Sequence, residues 1–167
     1  GKGGTTSAPY SSGQYNTAVG YQAAYYNTTG YYNTYMGALA GQGSSNQDAG
    51  DYSTIIGYKA GYDVNGADKT TIVGAQAGEN LTSGNNNTYL GYYSGFTATT
   101  ASGSVFLGST AGGSVTTGNQ NIAIGLDAMN GASTTGDNNI AIGASAGDAL
   151  TSGKWNVLMG LDAGGAL

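Results

Sequence analysis

One glycine recurs along the chain at an almost constant interval, and each copy directly follows a large aliphatic residue. The positions are Gly20, Gly37, Gly57, Gly74, Gly91, Gly108, Gly125, Gly143 and Gly160. Six of the intervals are 17 residues long, one is 18 and one is 20. Because a fixed period of this kind is the signature of repeat architectures, we predict nine similar units with two small insertions.

The residues around that glycine predict one short strand per unit. The residue three positions before it is always β-branched, and the residue three positions after it is alanine in eight units and serine in one. Glycine is too frequent for helices, and no stretch shows a sustained helical period. A unit of this size cannot bury its apolar side alone, so neighbouring units must stack. We therefore predict an all-β fold: a parallel β-solenoid (β-roll) of about nine 17-residue coils, forming a single domain over residues 14–167 after an N-terminal extension at 1–13.

The glycine content by itself is also compatible with disorder. The chain has 32 glycines among 167 residues and only 8% charged residues. Its apolar fraction is 39%, however, and it contains 14 tyrosines. Disordered chains are poor in aromatic residues and rich in charge, so the composition favours a folded repeat.

The residue before each repeat glycine is uniformly aliphatic, and we expect this row to form a ladder in the solenoid interior. Its members are Val19, Met36, Ile56, Val73, Leu90, Leu107, Ile124, Ile142 and Met159.

The residue two positions before the glycine points to the opposite face of the strand and is never charged. Because a solvated face should be polar, we expect this row to be covered by another chain, which predicts a homo-oligomer. The alternative is a wide monomeric coil that buries both faces itself. The large members assigned to interchain packing are Tyr35, Ile55, Ile72, Tyr89, Phe106 and Leu158.

A row of short polar residues lies four positions before the glycine. Stacked asparagines can form hydrogen bonds along the solenoid axis, so we predict a structural asparagine ladder. Its members are Asn16, Asn33, Asn87, Asn121, Asn139 and Asn156.

Missing residue types restrict the chemistry of the chain. It has no cysteine, no histidine and no arginine, which excludes the usual zinc and haem sites and the Cys–His and Ser–His nucleophiles. A net charge of −5 is unsuited to nucleic acid, and no apolar run is long enough to insert into a membrane. Asp127 and Asp162 are the best candidates for a carboxylate pair, and Asp137 for calcium, but both patterns are weak. We predict no enzyme, no catalytic or metal site and no cofactor.

Two segments carry a family resemblance. Residues 121–125 (NIAIG) and 139–146 (NIAIGASA) resemble the head repeats of trimeric autotransporter adhesins, and residues 16–23 (NTAVGYQA) resemble repeat arrays of phage tail-fibre-like proteins. The resemblance covers about residues 14–167. It implies a left-handed β-roll with three chains per rod, located outside the cell, on its surface or in a virion fibre.

Together these observations predict a non-catalytic structural or adhesive segment of an extracellular fibre, a homotrimer whose partner is a cell-surface glycan or receptor. One alternative is a filament subunit that stacks end to end. Another is a glycan-binding or glycan-active solenoid, since all tyrosines lie at or before Tyr93 and aromatic rings stack on sugars. A threonine row from Thr17 to Thr88 is typical of ice-binding solenoids, but it shares its position with valines and isoleucines and is therefore expected to face inward.

Overall fold

The computed structural model describes residues 13–43 and 50–165, and the predicted β-solenoid is confirmed. Apart from Gly13, the predicted N-terminal extension lies outside the described residues. One parallel sheet holds nine three-residue strands in chain order. They are β1 (Thr17–Val19), β2 (Thr34–Met36), β3 (Thr54–Ile56), β4 (Thr71–Val73), β5 (Thr88–Leu90), β6 (Val105–Leu107), β7 (Ile122–Ile124), β8 (Ile140–Ile142) and β9 (Val157–Met159). We number the coils one to nine by the strand that each contains.

The repeat positions stack directly on one another. In β4 and β5, for example, Ile72 pairs with Tyr89 and Val73 pairs with Leu90, and every neighbouring pair of strands keeps the same register. Residues at one repeat position therefore form a row along the axis. At a strand separation of about 4.8 Å, nine coils give a rod about 43 Å long.

The repeat glycines end each strand in a backbone conformation that only glycine adopts comfortably. Their φ angles lie between 122° and 143°. A β-carbon on Gly91 would lie 2.2 Å from the carbonyl oxygen of Gly108 in the next coil. Because the φ angle and the close approach both exclude a side chain, this position is glycine in all nine coils.

The assignment of the two strand faces in the sequence analysis was wrong. The middle residue of each strand points into the solenoid: Tyr35, Ile55, Ile72, Tyr89 and Phe106 are 0% exposed, and Leu158 packs against the same core. This row, which was assigned to interchain packing, is the chain's own interior. The aliphatic row assigned to the core points outward instead, and its members are exposed or half-buried: Val19, Met36, Ile56, Val73, Leu90, Leu107, Ile124, Ile142 and Met159.

The physical reason is the alternation of side chains along a strand. The asparagine row is buried except at its two ends, where Asn16 and Asn156 are half-buried, and residues two apart point to the same side. The middle strand residue lies two positions after the asparagine and therefore also points inward. The aliphatic uniformity of the outer row concealed this, because uniform rows usually indicate a core.

The interior tolerates middle residues from alanine to tyrosine because other positions of the coil compensate in size. Gly112 lies against the Phe106 ring, and a β-carbon on it would approach that ring to 2.5 Å. Where the middle residue is Ala123, the position equivalent to Gly112 is Met129, and both are fully buried. In coil seven a large residue thus replaces glycine beside a small middle residue. In coil eight, where Ala141 is accompanied by Gly147, Leu150 packs against the core instead, and both solutions keep the interior packed.

The two buried tyrosines of the middle row are expected to have opposite effects on stability when their hydroxyl groups are removed. The Tyr35 hydroxyl accepts a hydrogen bond from Asn27 Nδ2 at 3.3 Å, whereas the Tyr89 hydroxyl is buried and has no hydrogen-bond partner among the described residues. Burial also raises the pKa of Tyr89, so this hydroxyl stays neutral. We expect Tyr89→Phe to raise the free energy of unfolding by about 1 kcal/mol and Tyr35→Phe to lower it by about 1 kcal/mol. Urea unfolding measures both changes, and a loss of stability in Tyr89→Phe would contradict the prediction.

Candidate interaction surface

The asparagine row forms hydrogen bonds mainly to the backbone of the next coil. Asn121 Oδ1 accepts from the Asn139 N–H at 2.9 Å, and Asn121 Nδ2 donates to the Gly136 carbonyl at 2.8 Å. Asn33 bonds in the same way to the Ser53 N–H and the Gly50 carbonyl. Direct side-chain bonds occur at the C-terminal end, where Asn139 Nδ2 donates to Asn121 Oδ1 at 3.2 Å. The row therefore fixes the coil spacing from inside the solenoid.

A second polar row, two residues before the first, was missed. Its side chains accept backbone N–H bonds from the preceding coil, so it runs opposite to the asparagine row. Asp51 Oδ1 accepts from the Tyr31 N–H at 2.7 Å, and Asp68 Oδ1 accepts from the Asp51 N–H at 2.9 Å. The further acceptors are Asn85, Ser102, Asn119 and Asp137. Six short oxygen-bearing side chains at one repeat position were the signal that could have revealed it.

Asp137, a candidate calcium ligand, has its partners within the protein. Its Oδ1 accepts from the Asn119 N–H at 2.9 Å, and its Oδ2 lies 2.7 Å from Lys154 Nζ. The backbone hydrogen bond from Asn119 and then the lysine hold the pKa of Asp137 below its ordinary value. The cation beside this carboxylate is therefore a lysine of the next coil.

The other acidic candidates are also not arranged as a pair. Asp127 accepts hydrogen bonds from the Thr110 hydroxyl and from Asn130 Nδ2, and Asp162 lies exposed two coils further along. Within residues 13–43 and 50–165, no three carboxylates come close enough together to hold a metal ion. The same residues contain no helix that could cross a membrane.

Two rows of strand side chains form the outward face of the sheet. One is the aliphatic row, in which Val19, Met36, Leu90, Leu107 and Met159 are between 41% and 66% exposed. The other is a β-branched row of exposed or half-buried residues: Thr17, Thr34, Thr54, Thr71, Thr88, Val105, Ile122, Ile140 and Val157. The threonine row thus faces outward, and the prediction that it faces inward was wrong. Neither row contains a charged residue.

An edge row follows directly after the repeat glycines, and its residues alternate in size. The row reads Tyr21, Ala38, Tyr58, Ala75, Tyr92, Ser109, Leu126, Ala144 and Leu161. The five large members are between 51% and 76% exposed. Hydrogen bonds between the backbones that flank this row, such as Gln76 N–H to the Tyr58 carbonyl at 2.8 Å, keep it in register. Large side chains therefore recur every second coil, with a small residue between them.

Three tyrosines at the opposite edge of the outward face stack their rings from one coil to the next. The rings of Tyr15 and Tyr32 are stacked at 4.9 Å with an interplanar angle of 5°, and those of Tyr32 and Tyr52 at 5.2 Å with 11°. All three are exposed. Because each inner ring face is covered by its neighbour, this stack offers little free ring face to a sugar.

No protein-family model matches the chain, and neither do any curated proteins or solved structures at a significant level.

Proposed function

We propose that this chain is a non-catalytic structural segment of an extracellular fibre, and that it acts as a rigid rod which associates with further copies of itself through the outward face. The observation that carries the proposal is the unbroken, uncharged outward face of nine coils. The resemblance to adhesin and tail-fibre repeats supports the fibre context.

The size of the outward face supports this proposal. The two outward rows and the edge row span four residue steps, about 15 Å with their side chains, along a rod of about 43 Å. This gives about 600 Å² per copy, or about 1,200 Å² for a pair, which is within the range of stable interfaces. Apolar patches of this size on soluble proteins usually mark an interaction site.

The interior supports a mechanical role. Two polar rows join neighbouring coils through hydrogen bonds in opposite directions. Asn121 accepts a backbone N–H from the next coil, and Asn119 accepts one from the preceding coil. Strain on one coil is thus shared with its neighbours on both sides. Such a rod holds its outward face flat and regular over its whole length.

The proposal is tested by placing charges on the outward face. The chain has a mass of 16.5 kDa, and we expect sedimentation equilibrium to give a multiple of it. In the variant Ile124→Glu/Ile142→Glu, each partner would have to bury carboxylates against apolar side chains, and association should weaken about a hundredfold or more. The matched control Thr151→Glu/Ser152→Glu adds the same charge at exposed positions between β8 and β9 and should still assemble. A wild-type chain that is monomeric throughout would overturn the proposal.

Two other uses of the same surface are outcomes of this test. If the wild-type chain is monomeric and shows thermal hysteresis in freezing solutions, the outward threonines bind ice and the structural proposal is replaced. If it is monomeric and is retained on polysaccharide columns, the exposed tyrosines bind glycans instead.

A further inference from the structure

The alternation of large and small residues in the edge row indicates how two copies of the chain associate, an inference that rests on the proposed function. We propose that a second copy of the chain docks antiparallel on the outward face, so that the large side chains of each edge row lie over the small residues of the other. The two-fold axis passes between coils four and five, next to Ala75 and Tyr92.

A parallel pair cannot use the size alternation of the edge row. If two rods run in the same direction about an axis along their length, equal coils lie at equal heights, and edge rows that meet would oppose Tyr58 to Tyr58 and Ala75 to Ala75. An antiparallel pair centred on coil five also opposes Tyr92 to itself. An antiparallel pair centred between two coils opposes every odd coil to an even one, and large residues then always meet small ones.

Centring the axis between coils four and five makes opposing coil numbers add to nine. Tyr92 of one copy then lies over Ala75 of the other, between that copy's Tyr58 and Tyr92. Along the axis the two copies alternate, giving four tyrosine rings about 5 Å apart. This is the spacing at which Tyr15, Tyr32 and Tyr52 already stack on neighbouring coils. The remaining opposed pairs are Tyr21 with Ala144, Ala38 with Leu126 and Tyr58 with Ser109.

The outward rows fit the same arrangement. In coils one to three, the threonines of each β-branched row meet the valine and isoleucines of the other, as when Thr17 faces Ile140, and at the centre Thr71 faces Thr88. The aliphatic row meets itself throughout, with Val73 opposite Leu90 at the centre. Charges at the margins are not set against like charges, since Lys69 of one copy faces Asn86 of the other. Eight of the nine coils are covered, so the interface keeps nearly the full area of about 1,200 Å².

Single cysteines test the arrangement, because the chain has no cysteine of its own. In the proposed pair, two copies of Ala75→Cys lie one coil apart along the axis, about 5 Å. Two copies of the matched control Ala38→Cys lie five coils apart, about 24 Å. With a maleimide crosslinker that reaches roughly two coil spacings, about 10 Å, we expect efficient crosslinking of Ala75→Cys and at least tenfold less of Ala38→Cys.

A swap of one large and one small residue provides the second test. Ala75→Tyr alone fills a small position that must receive the partner's Tyr92, and we expect association to weaken about tenfold or more. The double variant Ala75→Tyr/Tyr92→Ala exchanges the two sizes, again leaves one ring per coil level, and should restore association. Circular dichroism of each variant establishes that the solenoid is intact.

The outcomes separate this inference from the proposed function. Crosslinking of Ala75→Cys but not of Ala38→Cys, with rescue by the double variant, supports the antiparallel pair. Equal crosslinking of both cysteines, or assemblies of three chains in which neither crosslinks, overturns the antiparallel pair and leaves the structural proposal standing. A monomeric wild-type chain overturns both.

Discussion

Replacing Gly91 with alanine is expected to lower the free energy of unfolding by about 4 kcal/mol or more. The residue has a φ angle of 140°, and its added β-carbon would lie 2.2 Å from the carbonyl oxygen of Gly108 and 2.6 Å from its carbonyl carbon. Holding alanine in such a conformation costs about 1–3 kcal/mol. The backbone of the next coil cannot yield without breaking its register, which adds a packing penalty of similar size.

Gly160 provides the matched control for this prediction. It occupies the same position in coil nine with a φ angle of 122°, but a β-carbon there would meet nothing within 4 Å. Gly160→Ala therefore retains the conformational cost and removes the steric one. Urea unfolding of both variants measures the difference, which we expect to be about 2 kcal/mol. Equal losses would show that the φ angle alone keeps this row glycine and that the contact with the next coil contributes nothing.

The solenoid and its coil length were predictable because stacking imposes one residue type on each row. The row of repeat glycines shows this most clearly, since a single backbone conformation recurs nine times. The asparagine row was predictable for the same reason, as buried amides such as Asn87 must form hydrogen bonds between coils.

The two faces of the strand were not predicted correctly, because the interior row is the more variable one. Ala123 and Phe106 both fit inside, since Met129 and Gly112 adjust the space around them. The compensating residue lies six positions later in the chain, where no single row reveals it. The outward row is uniform, which fits an interaction surface as well as a core. A strand of three residues is also too short for the alternation of apolar and polar side chains to identify its inward face.

The second polar row was missed because its members differ in charge. Asp68, Asn85 and Ser102 look unrelated when read for charge, yet each accepts one backbone N–H. What the six accepting members of the row share is a short side chain with an oxygen atom. A comparison of hydrogen-bonding capacity by position, instead of charge, would have recovered it.

The asparagine row gives the second large effect. Asn121→Ala removes the donor to the Gly136 carbonyl and the acceptor of two bonds from Asn139, its N–H and its Nδ2. The Gly136 carbonyl and the Asn139 N–H would be left without these partners in an interior where Asn121 and Asn139 are both 0% exposed. At about 1–3 kcal/mol for each buried group left unpaired, we expect a loss of about 3 kcal/mol in the free energy of unfolding.

Asn119, two residues earlier in the same coil, is the matched control. Its Oδ1 accepts a bond from the Ser102 N–H at 2.9 Å, and its Nδ2 donates a long bond to Asp137 Oδ1 at 3.5 Å, in a half-buried position. Asn119→Ala should cost about 1 kcal/mol, because it removes one hydrogen bond of ordinary length and one long bond, both where water has access. Asn121→Ser should fall between the two, since Ser104 in the same row already accepts a backbone bond through its hydroxyl but a serine cannot replace the amide's donation to Gly136. Chemical unfolding of the three variants ranks them, and a loss in Asn119→Ala equal to that in Asn121→Ala would contradict the dominant role assigned to the inner row. If the expected ranking holds, the stiffness of the rod resides in its buried amides, and the outward face is left free to serve association.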